Sequence, residues 1–157
     1  MKNFRIAIVG AGVWGDTHAA IYREHPNVEP VAICDKNPER ARLLAEKYGL
    51  PRAFDNVDDL LAYGDLDAVS IVTPDFLHAD IAVKCAEAGK HMLIEKPLAT
   101  TREDVFRIME AVNKHRVRAM VDLHNRFSPP FAEARRLIEA GELGTLRNAY
   151  FRLNDIK

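Results

Sequence analysis

Short apolar runs alternate with longer amphipathic segments along most of this chain, and this alternation constrains the fold more than any other feature. The runs "FRIAIV", "VAIC", "DAVSIV" and "HMLI" are apolar almost throughout, which is typical of strands covered on both faces. The segments between them repeat apolar residues at helical spacing, as at Val105, Ile108, Met109 and Val112. Strands that alternate with helices form parallel sheets. We therefore expect an α/β fold: a doubly wound parallel sheet with helices on both faces.

The first predicted strand runs straight into a glycine-rich turn, "GAGVWG", which contains Gly10, Gly12 and Gly15. Ligands of doubly wound sheets bind at the carboxyl ends of the strands, where this turn lies. The turn opens a predicted helix and is followed by Asp35, twenty residues after Gly15, a spacing that is typical of Rossmann dinucleotide sites. Gly10 permits the tight turn, Gly12 lets the backbone approach a pyrophosphate at the helix N-terminus, and Gly15 lets helix and strand pack closely.

Asp35 ends the second predicted strand and indicates which dinucleotide binds. Its carboxylate can accept hydrogen bonds from the adenosine ribose hydroxyls and would repel a 2′-phosphate, which favours NAD over NADP. Lys36 lies beside it and weakens that preference, so we include it among the cofactor-binding residues. The alternative is a simple glycine turn followed by an aspartate that caps a helix.

Polar residues also follow three later predicted strands. They form the segments "TPDFLH" at Thr73–His78, "EKP" at Glu95–Pro97 and "DLHNRF" at Asp122–Phe127. Each segment has a structural alternative: a turn with a helix cap, an ion pair between Glu95 and Lys96, and a plain polar loop, respectively. In a parallel sheet all of these exits meet at one edge, and this convergence favours a shared binding site in which Lys96 faces the cofactor crevice.

The composition excludes several functional classes. The formal net charge of −1 argues against a nucleic-acid binder, which needs a basic excess. No apolar run approaches the ~20 residues of a membrane span, and the short N-terminal run indicates a strand rather than a secretory signal. Cys34 and Cys85 are the only cysteines and show no metal-ligand spacing, so we predict buried thiols in a reducing cytoplasm and no metal site.

The end of the chain indicates the start of a second domain. Ser128 and Pro129 predict the beginning of a helix that runs to Ala140, and "LRNAYFRL" at 146–153 alternates like a strand. We expect a dinucleotide-binding domain of the Rossmann type at residues 1–123. Residues 124–157 are predicted to form a crossover followed by the first helix and strand of a truncated second α/β domain.

Four segments are spread along nearly the whole chain, between residues 9 and 152: "VGAGVWGDTHA", "ICDKNPERA", "VSIVTPDFLHADIAVKCAEAGKHMLIEKPLA" and "HNRFSPPFAEARRLIEAGELGTLRNAYFR". At these segments the sequence resembles the glucose–fructose oxidoreductase / inositol dehydrogenase / MocA (Gfo/Idh/MocA) family of NAD(P)-dependent oxidoreductases. The middle block, in which TPxxxH is followed by EKP, is the most specific part of the resemblance.

The resemblance implies a set of site residues. Lys96 would be the active-site lysine, which takes the proton of a substrate hydroxyl or positions that hydroxyl, and Glu95 would orient the nicotinamide half of the cofactor. The implied cofactor contacts are Gly10, Gly12, Val13 and Trp14 at the pyrophosphate, Asp35 at the ribose, Thr73, Pro74 and His78 along the nicotinamide side, and Asn125 where the family begins its crossover to a second domain.

The resemblance also implies a function: transfer of a hydride between NAD and the CH–OH group of a sugar, inositol or related polyol. Family members are much longer, and their second domain supplies the substrate floor and further catalytic residues. We therefore expect this N-terminal portion to bind cofactor but to lack full activity. Self-association through the sheet of the second domain is also implied, without nucleic-acid or membrane partners.

Three other functions stay open at this point. A cofactor-sensing regulator of the same family would retain the site without catalysis, whereas an NAD-dependent glycosidase would oxidise and re-reduce its sugar with no net formation of NADH. A different Rossmann enzyme would make the EKP segment a coincidence. Reduction of NAD by a polyol would favour a dehydrogenase over a regulator.

Overall fold

The computed structural model describes residues 3–152, and a single six-stranded sheet forms its centre. Every pair of neighbouring strands is parallel. The strands are β1 (Phe4–Val9), β2 (Val28–Cys34), β3 (Arg52–Phe54), β4 (Ala68–Ile71), β5 (His91–Glu95) and β6 (Ala119–Asp122). Their order across the sheet is β3-β2-β1-β4-β5-β6, so the chain winds outward from β1 in both directions. This is the doubly wound Rossmann order, which confirms the predicted fold class.

Helices connect the strands, as parallel pairing requires. Within the described residues they are α1 (Val13–Glu24), α2 (Pro38–Tyr48), α3 (Val57–Ala62), α4 (His78–Glu87), α5 (Arg102–His115) and α6 (Pro129–Glu139). None of the helices between residues 3 and 152 has the length and apolar character needed to cross a bilayer.

The core lies on both faces of the sheet because successive side chains of a strand point in opposite directions. Ile8 and Ile33 pack on one face with residues of α1 and α2. On the other face, Val9 and Ile71 pack with residues of α3, α4 and α5. Helices therefore cover both faces, as the apolar runs predict.

The strand register brings the carboxyl ends of the strands to one edge. Val9 pairs with Cys34 on one side and with Ile71 on the other, and Ile71 pairs in turn with Ile94. The residues that follow these positions leave the sheet at the same edge, so the predicted convergence of the strand exits is confirmed.

Residue contacts divide the chain after Asp122, so that a second unit begins at Leu123. It contains a 3₁₀ turn at His124–Phe127 and helix α6, whose first residue is Pro129 as predicted. The Ser128 hydroxyl does not cap that helix; it donates a hydrogen bond to the carbonyl oxygen of Asn125 at 3.0 Å. The assignment of residues 124–157 to a second domain stays a prediction.

The predicted strand at 146–153 is absent over residues 146–152, and residue 153 lies outside the described part of the chain. A strand is held by hydrogen bonds to a neighbouring strand rather than within itself. No strand follows Asp122 within the described residues, so this alternating segment has no partner in the second unit. Its alternation alone is therefore not sufficient to form the predicted element.

Candidate functional site

The glycine-rich turn between β1 and α1 is shaped by close packing at two of its three glycines. Gly10 has a φ of 114°, and a Cβ atom there would lie 2.7 Å from the carbonyl oxygen of Val72. A Cβ on Gly15 would lie 2.0 Å from the carbonyl oxygen of Gly10. Both contacts are shorter than any tolerable carbon–oxygen approach, so these two positions need glycine for the fold itself.

Gly12 differs from the other two glycines because no neighbouring atom of the chain fills the space beside it. A Cβ atom there would meet nothing within 4 Å, and the φ of −88° is accessible to any residue. Packing and backbone conformation therefore give no reason for glycine at this position. Gly12 lines a groove, and close approach of a ligand to its backbone would be a reason for glycine at this position.

Asp35 fastens the glycine-rich turn to the start of α2. Its Oδ2 atom accepts a hydrogen bond from the backbone N–H of Ala11 at 2.7 Å, and its Oδ1 atom accepts one from the N–H of Asn37 at 2.8 Å. An ionised carboxylate has about four acceptor positions, so two positions are left for the hydroxyls of a ribose. The residue therefore has a structural role, which differs from the helix cap considered as the alternative because the side chain that caps α2 is that of Asn37.

The groove beside this turn has a volume of about 440 Å³. It lies at the ends of β1, β2 and β4, the place at which doubly wound sheets bind ligands. The predicted site residues that line it are Gly10, Gly12, Asp35, Lys36, Thr73 and Pro74. Val13 and Trp14 are exposed in the first turn of α1 and are not among its lining residues.

Thr73 and Pro74 lie in the same groove as Asp35, and their place along the nicotinamide side stays a prediction. The Oγ1 atom of Thr73 is buried and has no hydrogen-bond partner among the described residues. A buried hydroxyl without a partner carries a desolvation cost that a polar ligand can remove. Thr73 is therefore a residue of the groove whose hydroxyl still has the capacity to form a hydrogen bond.

Arg40 also lines the groove, and the sequence interpretation missed it. It lies in the first turn of α2, five residues after Asp35. That spacing is the signal that could have identified it, because the first turn of the helix after β2 is next to Asp35, where the chain leaves the sheet.

His78 is buried and is occupied by protein groups. Its Nδ1 atom lies 2.8 Å from the carbonyl oxygen of Pro97, and its Nε2 atom lies 2.9 Å from the carbonyl oxygen of Thr73. Both acceptors are carbonyls, so both contacts are hydrogen bonds when both ring nitrogens carry hydrogen. The imidazole thus lies between the segments that follow β4 and β5, and its place along the nicotinamide side stays a prediction.

Glu95 is buried at the end of β5 and does not form the ion pair with Lys96 that was considered as the structural alternative. Its Oε2 atom accepts a hydrogen bond from the backbone N–H of Lys96 at 3.1 Å. Its Oε1 atom lies 3.6 Å from Nε2 of His18, and the same nitrogen lies 3.6 Å from Oδ2 of Asp122. The carboxylate therefore faces a buried imidazole on α1 rather than the lysine that follows it.

A polar network extends from this cluster into the sheet. Nδ1 of His18 lies 2.9 Å from Oγ of Ser70, which also accepts a hydrogen bond from the Tyr22 hydroxyl at 3.1 Å. Burial raises the pKa of Tyr22 above its ordinary value, and the charges of Asp122 and Glu95 act in the same direction. Ser70, a polar residue in a buried strand, is the sequence signal that could have revealed this network.

The His18, Glu95 and Asp122 side chains offer one nitrogen and two oxygen atoms that all lie within 4.8 Å of one another. This donor set could hold a divalent metal. The sequence did not indicate it, because the three residues come from three different elements.

Lys96 leaves the sheet at the same edge as the glycine-rich turn. It follows β5, which is two strands from β1, a separation of roughly 10 Å at the usual strand spacing. The residue is exposed, so the described residues do not bury its amine. Within residues 3–152 no carboxylate forms an ion pair with it.

Asn125 belongs to the second unit, where its carbonyl oxygen accepts hydrogen bonds from the backbone N–H and the hydroxyl of Ser128. Its predicted contact with the cofactor stays a prediction.

The family described as an oxidoreductase family with an NAD-binding Rossmann fold, Gfo/Idh/MocA, matches residues 4–123. The chain belongs to this family. The resemblance carried by the glycine-rich turn and the EKP segment is thereby confirmed, and so is the identification of residues 4–123 as an NAD-binding Rossmann fold.

Similar Gfo/Idh/MocA proteins include two named dehydrogenases. Levoglucosan dehydrogenase of Pseudarthrobacter phenanthrenivorans is 34% identical over 93% of this chain and 40% of its own length. The scyllo-inositol 2-dehydrogenase (NAD(+)) of Bacillus subtilis is 35% identical over 89% of this chain and 41% of its own length. The chain therefore spans about two fifths of the length of these relatives.

Solved Gfo/Idh/MocA structures share the fold. The WlbA dehydrogenase from Bordetella pertussis, in complex with NADH and UDP-GlcNAcA, is 34% identical with a TM-score of 0.85 over 91% of this chain and 44% of that one. The scyllo-inositol dehydrogenase from Lactobacillus casei, with bound NAD(H) and scyllo-inositol, is 26% identical with a TM-score of 0.86 over 91% of this chain and 43% of that one.

Proposed function

We propose that this chain is the cofactor-binding part of an oxidoreductase that transfers a hydride between NAD and a hydroxyl group of a sugar, inositol or related polyol. The observation that carries the proposal is the open space beside Gly12 in the same groove as the Asp35 carboxylate. The relatives support the substrate class, because they include dehydrogenases named for levoglucosan and scyllo-inositol.

The residues of the groove fit the parts of a dinucleotide. Gly10 and Gly12 would approach the pyrophosphate, with Val13 and Trp14 contributing from the first turn of α1. The two acceptor positions left on Asp35 would bind the ribose hydroxyls, with Lys36 beside them. Thr73 and Pro74 would contact the ligand along the same groove. The Thr73 hydroxyl could donate a hydrogen bond to a ligand oxygen, and Pro74 supplies an apolar surface.

The chemistry would be divided between the cofactor and the exit of β5. NAD, when bound, supplies the hydride acceptor. Lys96 is proposed to take the proton of the substrate hydroxyl, or to position that hydroxyl, from its place at the same sheet edge. Because Lys96 is exposed here, we do not assign its activation to burial by the described residues.

Two buried residues are proposed to hold Lys96 in place. His78 contacts the carbonyl oxygens of Thr73 and Pro97 and so holds the residue that follows Lys96. Glu95, the residue that precedes Lys96, accepts a hydrogen bond from the backbone N–H of Lys96 and orients the segment. Neither residue needs to touch the substrate for this role. The contacts of Glu95 with the nicotinamide half and of Asn125 with the cofactor rest on the family resemblance.

The first test is direct binding of NAD⁺ and NADH to the chain by calorimetry. We expect saturable binding with a dissociation constant roughly in the micromolar to millimolar range that enzymes show for small ligands. The matched comparison is Gly12→Val, which places a branched side chain in the open space and should abolish the heat of binding while the circular dichroism spectrum stays unchanged. Absence of NAD binding to the unaltered chain would contradict the proposal.

The second test concerns the reaction in the complete protein that carries this chain. A panel of inositols, aldoses and glycosides is assayed for NADH formation, and Lys96→Met is assayed on the best substrate. We expect the variant to retain cofactor affinity and to lose about three or more orders of magnitude in kcat, within the range that acid–base groups contribute together with positioning. Near-normal turnover would remove Lys96 from the chemistry, and sugar cleavage without net NADH would point to a glycosidase.

A further inference from the structure

Three side chains from three different elements meet at the carboxyl end of the sheet. His18 belongs to α1, Glu95 ends β5 and Asp122 ends β6. Glu95 and Asp122 are paired across their neighbouring strands, so their carboxylates lie on the same face of the sheet. One imidazole nitrogen and two carboxylate oxygens thus lie within 4.8 Å of one another. None of the three residues lines the cofactor groove.

The cluster brings two carboxylates together without a lysine or an arginine. Within residues 3–152, His18 is the only residue that forms an ion pair with either Glu95 or Asp122. Glu95 is only 5% exposed. Two like charges side by side repel each other, and burial adds a desolvation cost. A protonated imidazole balances one of the two negative charges, whereas a divalent cation balances both.

The imidazole does not satisfy Glu95 by hydrogen bonding. Nε2 of His18 lies 3.6 Å from Oε1 of Glu95 and 3.6 Å from Oδ2 of Asp122. Both separations exceed the roughly 2.7–3.2 Å of an N–H···O hydrogen bond. Oε1 of Glu95 is buried and has no hydrogen-bond partner among the described residues, although Oε2 has one. The unpartnered oxygen is therefore the one that faces the imidazole, where a bound cation would remove the cost of its burial.

The separations in the cluster suit the ligands of one zinc ion. Zinc lies about 2.0–2.2 Å from nitrogen and oxygen ligands, so two ligands of a tetrahedral zinc ion are about 3.4 Å apart. The observed separations from Nε2 of His18 are 3.6 Å. Magnesium fits less well, because it takes oxygen ligands in octahedral geometry. A mixed set of one imidazole and two carboxylates therefore favours zinc.

Ser70 can orient the imidazole for this role. Its buried Oγ atom lies 2.9 Å from Nδ1 of His18. When Nδ1 carries the ring hydrogen and donates it to Ser70, the lone pair of Nε2 is directed at the two carboxylates. A histidine that binds a metal usually donates its other ring N–H to a protein acceptor in this way.

We propose that His18, Glu95 and Asp122 bind one zinc ion through Nε2, Oε1 and Oδ2, with a fourth position for water. The sequence predicted no metal site, because ligands from three elements share no common spacing. Oε2 of Glu95 accepts the backbone N–H of Lys96, so the ion ties α1, β5 and β6 together next to Lys96. This role does not depend on binding of a dinucleotide in the groove.

Calorimetric titration of the chain with ZnCl₂, after treatment with a chelator that is then removed, tests the proposal. We expect one site per chain with a dissociation constant at roughly the micromolar level or below. His18→Asn, Glu95→Gln and Asp122→Asn are each expected to weaken zinc binding by about 100-fold or more, since even residues that only orient a metal ligand contribute roughly 10- to 100-fold. His25→Asn, at an exposed histidine, is the matched control and should leave the affinity unchanged.

A second measurement uses the unaltered chain, because substitution within a buried cluster can prevent folding. Co²⁺, a paramagnetic substitute for zinc, should broaden the backbone NMR signals of His18, Glu95 and Lys96 before those of other residues. ZnCl₂ at about 100 times its dissociation constant should also raise the unfolding temperature by about 5–10 °C, since a ligand of the folded state stabilises it.

The results distinguish this site from surface binding and from the proposed function. Broadening centred on His25, or equal zinc affinities of the unaltered chain and a folded Asp122→Asn variant, would overturn the assignment. Absence of zinc binding to a folded chain that binds NAD⁺ would overturn the metal site and leave the proposed function intact. Zinc binding to a chain that does not bind NAD⁺ would support the metal site while the proposed function fails.

Discussion

The Asp35 carboxylate accepts the backbone N–H of Ala11 at 2.7 Å, which connects the exit of β2 to the glycine-rich turn that follows β1. The residue expected to bind the ribose therefore also holds the backbone that approaches the pyrophosphate. The proposed ligand binding and the local stability therefore depend on the same side chain.

That coupling predicts the effect of Asp35→Ala. Removal of a charged acceptor leaves the N–H groups of Ala11 and Asn37 without their partner, and we expect the free energy of unfolding to fall by about 1–3 kcal/mol, together with loss of NAD binding. Urea denaturation and calorimetric titration measure the two effects. Asp55→Ala, at another carboxylate of the groove, is the control and should cost less stability, because no backbone N–H donates to it within the described residues.

Alanine at Gly12 and at Gly15 should have opposite consequences. A Cβ on Gly15 would lie 2.0 Å from the Gly10 carbonyl oxygen, so Gly15→Ala is expected to prevent normal folding. Gly12→Ala meets no protein atom within 4 Å and should fold normally while losing at least roughly tenfold in NAD affinity. Thermal unfolding and titration compare the pair. Normal NAD affinity of Gly12→Ala would show that no ligand approaches that backbone.

Thr73→Val tests whether the buried hydroxyl serves a ligand. Since Oγ1 has no hydrogen-bond partner among the described residues, its removal should leave the free energy of unfolding unchanged or slightly raise it. Affinity for NAD should fall by about two- to tenfold, the equivalent of one neutral hydrogen bond. Thr73→Ser, which keeps the hydroxyl, serves as the control. Reduced stability of the valine variant with unchanged affinity would mean that the hydroxyl serves the fold.

His78→Leu should be strongly destabilising. It removes a buried imidazole that lies within hydrogen-bond distance of the carbonyl oxygens of Thr73 and Pro97, and we expect a loss of roughly 1–3 kcal/mol in the free energy of unfolding. His25→Leu, at an exposed histidine, should change stability by about 0.5 kcal/mol or less. Nitrogen NMR of the imidazole provides an independent readout, because it shows which ring nitrogen carries hydrogen and therefore which of the two carbonyl oxygens receives a hydrogen bond. A spectrum of a freely exchanging, solvent-exposed imidazole would contradict the contacts with both carbonyls.

The two cysteines predict how stability changes at high pH. Burial raises the pKa of the Cys34 and Cys85 thiols from 9.0 to about 12. Between these values the unfolded chain releases thiol protons that the folded chain retains, so stability falls as pH rises from 9.0 toward about 12. Urea midpoints across this range should decline less steeply in Cys34→Ala than in the unaltered chain. Equal slopes would show that the Cys34 thiol does not contribute.

Much of the fold was predictable because local patterns and burial agree. The apolar runs near Phe4–Val9 and His91–Ile94 were predicted to be strands that helices cover on both faces. The observed core on both faces of the sheet confirms this prediction. The strand predicted at 146–153 was not predictable in the same way. Its alternation indicates a strand, but a strand depends on a partner that is distant in sequence, and none follows Asp122 in the part of the chain that the structure describes.

The features of the candidate site also fall into a group that could be predicted from local sequence patterns and a group that could not. The glycine-rich turn, Asp35 and the meeting of the strand exits at one edge could be predicted, because these follow from short-range spacing and from the direction of parallel strands. The folded structure was needed to show that His78 lies between two carbonyls, that Glu95 faces His18, and that Arg40 shares the groove with Asp35. Those relationships depend on side chains from separate elements meeting after the sheet has assembled, and no spacing along one segment determines such a meeting.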